Sequence, residues 1–122
     1  MLDLPKAAKS FTYASAGIVA LFRSENNAKI HLIAGTGAVA AGFFFGLTTT
    51  EWCILVLQIA AVMGAEAVNT AIEKLCDVVS PGHHPVIGQV KDLAAAAVLI
   101  TAIASVITGL VLFLPKLLNT IS

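Results

Sequence analysis

Three carboxylates and an amide stand out in a largely apolar run: Glu66, Asn69, Glu73 and Asp77, within GAEAVNTAIEKLCD at residues 64–77. On a helix Glu73 and Asp77 each fall within roughly 20° of Glu66, with Asn69 about 60° to one side. They therefore form a polar stripe. A carboxylate at the depth of Glu66 is costly in hydrocarbon, so it should face a partner or a wet crevice rather than lipid. One reading is structural, with Glu66 and Asn69 bonding across helices to hold an oligomer together. Four polar residues on one stripe that reaches the aqueous edge favour chemistry instead.

Two further pieces belong to the same chemistry. Lys91-Asp92 precedes a small-residue run, and Glu25 follows Arg23-Ser24 at the entry to an apolar stretch. Clustered carboxylate oxygens are what Mg²⁺ needs when it also binds phosphate. A lysine beside them can neutralise a phosphoryl group in transfer, and a partly desolvated glutamate can take a proton from an alcohol. A reaction between a lipid hydroxyl and a soluble phosphate donor needs these parts. Simpler readings stand beside each piece. Asp92 suits a helix N-terminus, Lys91 can be a topological anchor, and Ser24 can cap the next helix with Glu25 in its first turn.

The elements that must position these groups follow from composition. Of 122 residues, 58% are hydrophobic and 11% charged, and the mean hydropathy is +0.93. Soluble domains carry roughly 25% charge, so this is a membrane protein. Seven Lys and Arg balance seven Asp and Glu, which leaves no basic excess to recruit nucleic acid. A spanning helix needs about 20 mostly apolar residues. Three stretches qualify, at about 30–47, 52–72 and 93–114, the last closed by Pro115 and Lys116. Counted from Trp52, Glu66 lies about 21 Å into its helix and Glu73 about 31 Å, at the boundary.

Charge asymmetry gives a direction. Lys6, Lys9, Arg23 and Lys29 precede the first span, Lys74 and Lys91 flank the loop between the second and third, and the 47–52 connection has no Lys or Arg. The N-terminus is expected to be cytoplasmic and the C-terminus outside, with Trp52 anchoring the outer interface. Lys116 runs against this rule. Leu4, Ala7, Ala8, Phe11, Ala14, Ile18, Leu21 and Phe22 recur at helical spacing, so residues 5–22 are expected to form an amphipathic surface helix; a fourth, very short span is the alternative. No compact apolar core followed by a small-residue cleavage site marks a secretory signal. Cys53 and Cys76 sit at opposite ends of one helix, about 35 Å apart, too far to pair within a chain.

Other motifs carry less. The P-loop pattern is absent, and Gly35-Thr-Gly37 mimics a dinucleotide fingerprint inside an apolar span with no preceding strand. Gly42-Phe-Phe-Phe-Gly46 suits close helix packing, and Phe43–Phe45 reads as packing or lipid-facing surface. His83-His84 reads as a solvated loop or a nucleotide contact, and His31 as a satisfied interface residue. The competing function class is a small proton-coupled transporter or channel subunit, in which Glu66 loads and releases protons. Such a protein has little use for Asp77, Lys91 and Asp92 at the rim.

The run Glu66, Asn69-Thr70-Ala71-Ile72-Glu73, Asp77, then His84, Lys91-Asp92 and Ala94–Leu99 resembles the small prokaryotic diacylglycerol kinase family, which includes undecaprenol kinases. The match extends over almost the whole chain. The resemblance implies an all-α integral membrane homotrimer in the bacterial inner membrane, with a surface helix and three spans per subunit. Its active sites would be shared between subunits at the cytoplasmic boundary. It implies an Mg-ATP-dependent lipid kinase with Glu66 as general base and Glu25 and Glu73 holding Mg²⁺ on the ATP phosphates. Lys91 would contact the transferring phosphoryl group, and Asp77, Asn69, Asp92 and His84 would support or contact the nucleotide. Asn27 and His31 look more like the undecaprenol kinase branch, while Ala16 and Val19 stand where some members carry basic residues. The lipid alcohol is therefore either diacylglycerol or undecaprenol.

Overall fold

The computed structural model describes residues 1–122 as four helices and no strand. Helix α1 spans Leu4–Ser24, α2 Asn26–Phe45, α3 Thr49–Val79 and α4 Pro85–Ile121. The last three are long and apolar enough to cross a membrane, whereas α1 is not among them. The chain is a membrane protein.

Local chemistry sets most boundaries. The Asp3 carboxylate accepts from the Lys6 amide at 3.1 Å, and Pro5 lies in the first turn of α1, where its missing N–H has no helical partner to lose. Glu25 alone separates α1 from α2, in an extended conformation (φ −104°, ψ 117°). The simpler reading in which Ser24 caps α2 does not hold. Its hydroxyl donates back to the Ala20 carbonyl at 2.8 Å within α1, and Glu25 takes the cap position without a side-chain bond. Gly46 ends α2 at φ +73°, a conformation L side chains resist. Two residues on, Thr48 forms with Glu51 a reciprocal capping box that starts α3. His84 caps α4, its Nδ1 accepting from the Val86 amide at 3.2 Å.

Two helices outrun their apolar stretches. At 31 and 37 residues, α3 and α4 are about 46 and 55 Å long, against an acyl core of about 30 Å. The surplus of α3 carries Glu73, Lys74 and Asp77, and the first two turns of α4 lead to Lys91. Two expectations are corrected here. Helix α4 begins at Pro85, so Asp92 lies in its third turn and owes nothing to an N-terminal dipole. It also continues through Pro115 to Ile121, because a proline removes one backbone bond without forbidding the turns beyond it.

Packing is uneven along the bundle. The apolar core, Leu47, Leu55 and Leu112 with Trp52, Ile59 and Phe113 against it, sits toward the α2–α3 turn. Gly42 permits that closeness, since a Cβ there would meet the Trp52 ring at 2.7 Å. The expected glycine pair thus splits into one packing residue and, at Gly46, one helix terminator. Lys116 Nζ lies 2.8 Å from Glu51 Oε2 at the same end, which satisfies the lysine that broke the charge pattern. Among the Phe43–Phe45 run, Phe43 and Phe44 are exposed, while Phe45 is half-buried with its ring centroid 6.2 Å from that of Phe113. Both cysteines are free. Only 12 of 122 residues are buried and the chain exposes 8618 Å², against roughly 6200 Å² for a compact globule of this mass. The excess is apolar helix surface.

Candidate functional site

Helix α3 buries one seam: Leu55, Val62, Asn69 and Cys76 at intervals of seven, with Glu66 and Thr70 beside it. Near the α2–α3 turn this seam is apolar. Three turns on, it becomes polar without becoming exposed. Glu66 is 2% exposed, and its Oε2, the Asn69 Oδ1 and the Thr70 Oγ1 are enclosed with no hydrogen-bond partner. Buried polar atoms are normally paired, because each unpaired one costs about 1–3 kcal/mol. Three orphans within five residues mark a place built for something other than stability.

The surroundings of Glu66 come from α2, from α3 itself and from the α1–α2 junction. His31 of α2 brings its Nε2 to 3.8 Å from Glu66 Oε2. Glu25 stands at the α1–α2 junction, and Glu73 lies two turns further along α3. Both are half-buried. Glu73 Oε1 accepts from Asn69 Nδ2 at 3.3 Å, which fixes one of its oxygens and leaves the other free. Glu25 makes no capping bond, so its carboxylate is uncommitted.

Beyond Glu73 the stripe meets α4. Lys91 Nζ lies 2.6 Å from Asp77 Oδ1, on the exposed edge where the two helices leave the α3–α4 loop. Lys91 is thus an ammonium held by a single, solvent-accessible carboxylate, a pairing easily exchanged for a phosphate oxygen. Asp92 is exposed and makes no ion pair, and His84 sits two turns before Lys91 at the start of α4. Ala94 is buried at 8% in the groove between α3 and α4, which is lined in part by Gly64, Ala65 and Val68, as small residues permit.

The donor set has a definite character. No three His, Cys, Asp or Glu side chains converge closely enough to cage a metal by themselves. Two half-buried carboxylates suit a cation that arrives with its own oxygens, since Mg²⁺ is commonly held by one or two carboxylates together with substrate phosphates and water. Glu25 and Glu73 fit that role.

Sequence reasoning did not find two partners. His31 proves to face Glu66 from a different helix, 35 residues away, although an ionisable side chain in an apolar stretch was itself a signal. Thr70 contributes a buried hydroxyl. On the other side of His31, a cleft of about 420 Å³ runs between α2, α3 and α4. It is apolar except for His31, Thr108 and the pair in which Ser105 Oγ donates to Gln58 Oε1 at 3.2 Å.

Comparison with known proteins gives consistent matches. Residues 12–113 match the family described as prokaryotic diacylglycerol kinase. The chain is 40% identical to the undecaprenol kinase of Bacillus subtilis over 115 residues, covering 94% of each protein. It is 38% identical to a diacylglycerol kinase of Synechocystis, covering 94% of this chain and 66% of that protein. To the diacylglycerol kinase of Escherichia coli it is 30% identical, over 85% of each chain.

Proposed function

The chain belongs to the prokaryotic diacylglycerol kinase family and is a lipid kinase, and from that premise we propose that it transfers the γ-phosphate of Mg-ATP to the hydroxyl of a membrane lipid alcohol, diacylglycerol or undecaprenol. The observation that carries this reading is the almost fully buried Glu66 carboxylate at the head of a polar stripe that ends on the exposed Lys91–Asp77 pair. A base embedded in the apolar phase, continuous with charges at its edge, matches a reaction whose two substrates come from different phases.

The residues divide the work by position. Glu66 takes the hydroxyl proton as the lipid oxygen forms its bond to the γ-phosphorus and the bond to the β–γ bridging oxygen breaks, releasing ADP; the proton then passes to water. Glu25 and Glu73 would hold the magnesium that enters with the nucleotide, which would supply charge neutralisation at the phosphate oxygens. Lys91 exchanges Asp77 for the phosphoryl group in transfer. Asn69 orients Glu73 through its 3.3 Å bond, while Asp77, Asp92 and His84 support or contact the nucleotide. The reaction thus rests on positioning and charge neutralisation, without a phospho-enzyme.

The setting follows from the same reading. The enzyme sits in the bacterial inner membrane with α1 as an amphipathic helix on the cytoplasmic surface, the α3–α4 loop inside and the C-terminus outside. The positive-inside asymmetry supports this orientation. Three chains form a homotrimer with shared active sites, a reading that rests on the family resemblance. The test is a radiolabelled-ATP assay in mixed micelles that offers diacylglycerol and undecaprenol side by side, with and without Mg²⁺. Label should enter one or both lipids only when Mg²⁺ is present. Proton flux in liposomes without ATP turnover would overturn the kinase reading.

A further inference from the structure

The lipid kinase reading leaves one feature without a role. Glu66 is enclosed, yet nothing donates to its Oε2, and a glutamate with three free rotors needs something to hold its carboxylate if it is to present one oxygen to a substrate. On its own helix, the Asn69 amide is already engaged with Glu73, and Thr70 makes no bond to it. The N–H-bearing side chain that faces it is His31, whose Nε2 is 3.8 Å from Oε2. His31 is itself 22% exposed and lies on the wall of the apolar cleft, so it touches both the carboxylate and the space beside it. A separation of 3.8 Å is about 1 Å beyond a charge-assisted hydrogen bond. Contacts of this kind are often long in the unliganded enzyme and tighten in the loaded one.

Resting on the reading above, we propose that His31 is a positioning residue for Glu66. In the loaded enzyme its Nε2–H donates to Oε2, fixing the carboxylate plane and leaving Oε1 as the oxygen that receives the lipid hydroxyl proton. The division of labour is that of a base and its orienter, on two helices brought together only by the fold. His31 does not itself gain or lose the transferred proton, and it contacts neither magnesium nor nucleotide. Its effect therefore falls on the chemical step rather than on binding.

The test compares two replacements in the full-length protein in lipid. His31→Phe keeps a ring of similar size and removes the donor, whereas His31→Gln keeps an N–H donor without the ring. Loss of a hydrogen bond to a charged group predicts a fall in kcat of about 10- to 100-fold for His31→Phe, with KM for Mg-ATP and for lipid unchanged. His31→Gln should retain most of kcat. In a Glu66→Gln background, His31→Phe should cause no further loss, because a positioner has nothing left to position. The inference is overturned if His31→Phe keeps wild-type kcat, if it acts through KM, if it loses as much with residue 66 already replaced, or if Phe preserves activity and Gln does not. An inactive wild-type protein would sink the kinase reading; an active one indifferent to His31→Phe sinks this inference alone.

Discussion

Replacing Glu66 by glutamine separates a catalytic role from a structural one more cleanly than any other change in the molecule. The side chain is 2% exposed, so a substitution that altered volume would confound activity with packing. Glutamine keeps the volume and removes the charge. The structure gives the stability side of the argument, since Oε2 has no hydrogen bond and the His31 ring nitrogen facing it is 3.8 Å away. An amide in place of an under-compensated buried carboxylate therefore relieves a desolvation penalty rather than breaking a bond, and thermal stability and assembly should hold or improve. The activity side is set by general base catalysis, which contributes about 10²- to 10⁴-fold, or roughly 3 to 5 kcal/mol in the barrier. Glu66→Gln should thus lower kcat by that factor while KM for Mg-ATP stays near the wild-type value. The assay is transfer of labelled phosphate from Mg-ATP to lipid in mixed micelles, paired with thermal denaturation and measurement of oligomer mass. Near-wild-type turnover would refute the assignment of the base. Loss of activity together with loss of assembly would instead make Glu66 a structural link between helices.

Three other outcomes follow. Lys91→Ala removes an ammonium whose partner is the exposed Asp77 carboxylate; because exposed pairs stabilise little, the melting temperature should be unchanged while kcat drops about 10²- to 10³-fold, read by calorimetry and the transfer assay. Lys116→Ala, at the opposite end of the bundle, should do the reverse, lowering the melting temperature by releasing Glu51 and leaving kcat per folded enzyme intact. Gly42→Ala forces a methyl to within 2.7 Å of the Trp52 ring, an overpacking that costs about 1–3 kcal/mol and should appear as a lower melting temperature with altered fluorescence from the single tryptophan.

The parts of the site legible from sequence are those that lie along one helix. Glu66, Asn69, Glu73 and Asp77 share a face because 3.6-residue periodicity puts them there, and the structure adds only that Asn69 bonds Glu73 and that the face is buried before it is exposed. Contacts between helices were not legible. His31 meets Glu66, Lys116 meets Glu51 and Ser105 meets Gln58 through packing that brings together residues 35, 65 and 47 positions apart, and no local pattern encodes such meetings. Lys116 seemed to contradict the charge rule only because its partner was out of sight. Helix ends are not legible from hydropathy alone. Apolar stretches report the thickness of the acyl core, whereas the helices are set by caps at Thr48 and His84, and those lie outside it. The Ser24 hydroxyl had two acceptors within reach of one turn, and back-bonding to Ala20 won over capping.

The most direct test of the central claim is a crystal structure of the protein with Mg²⁺ and a non-hydrolysable ATP analogue. The account predicts magnesium bound to the carboxylates of Glu25 and Glu73, Lys91 turned from Asp77 to the γ-phosphate, and that phosphate facing Glu66. A nucleotide seated far from residues 66, 73 and 91, or Glu66 turned outward into the acyl chains, would contradict it.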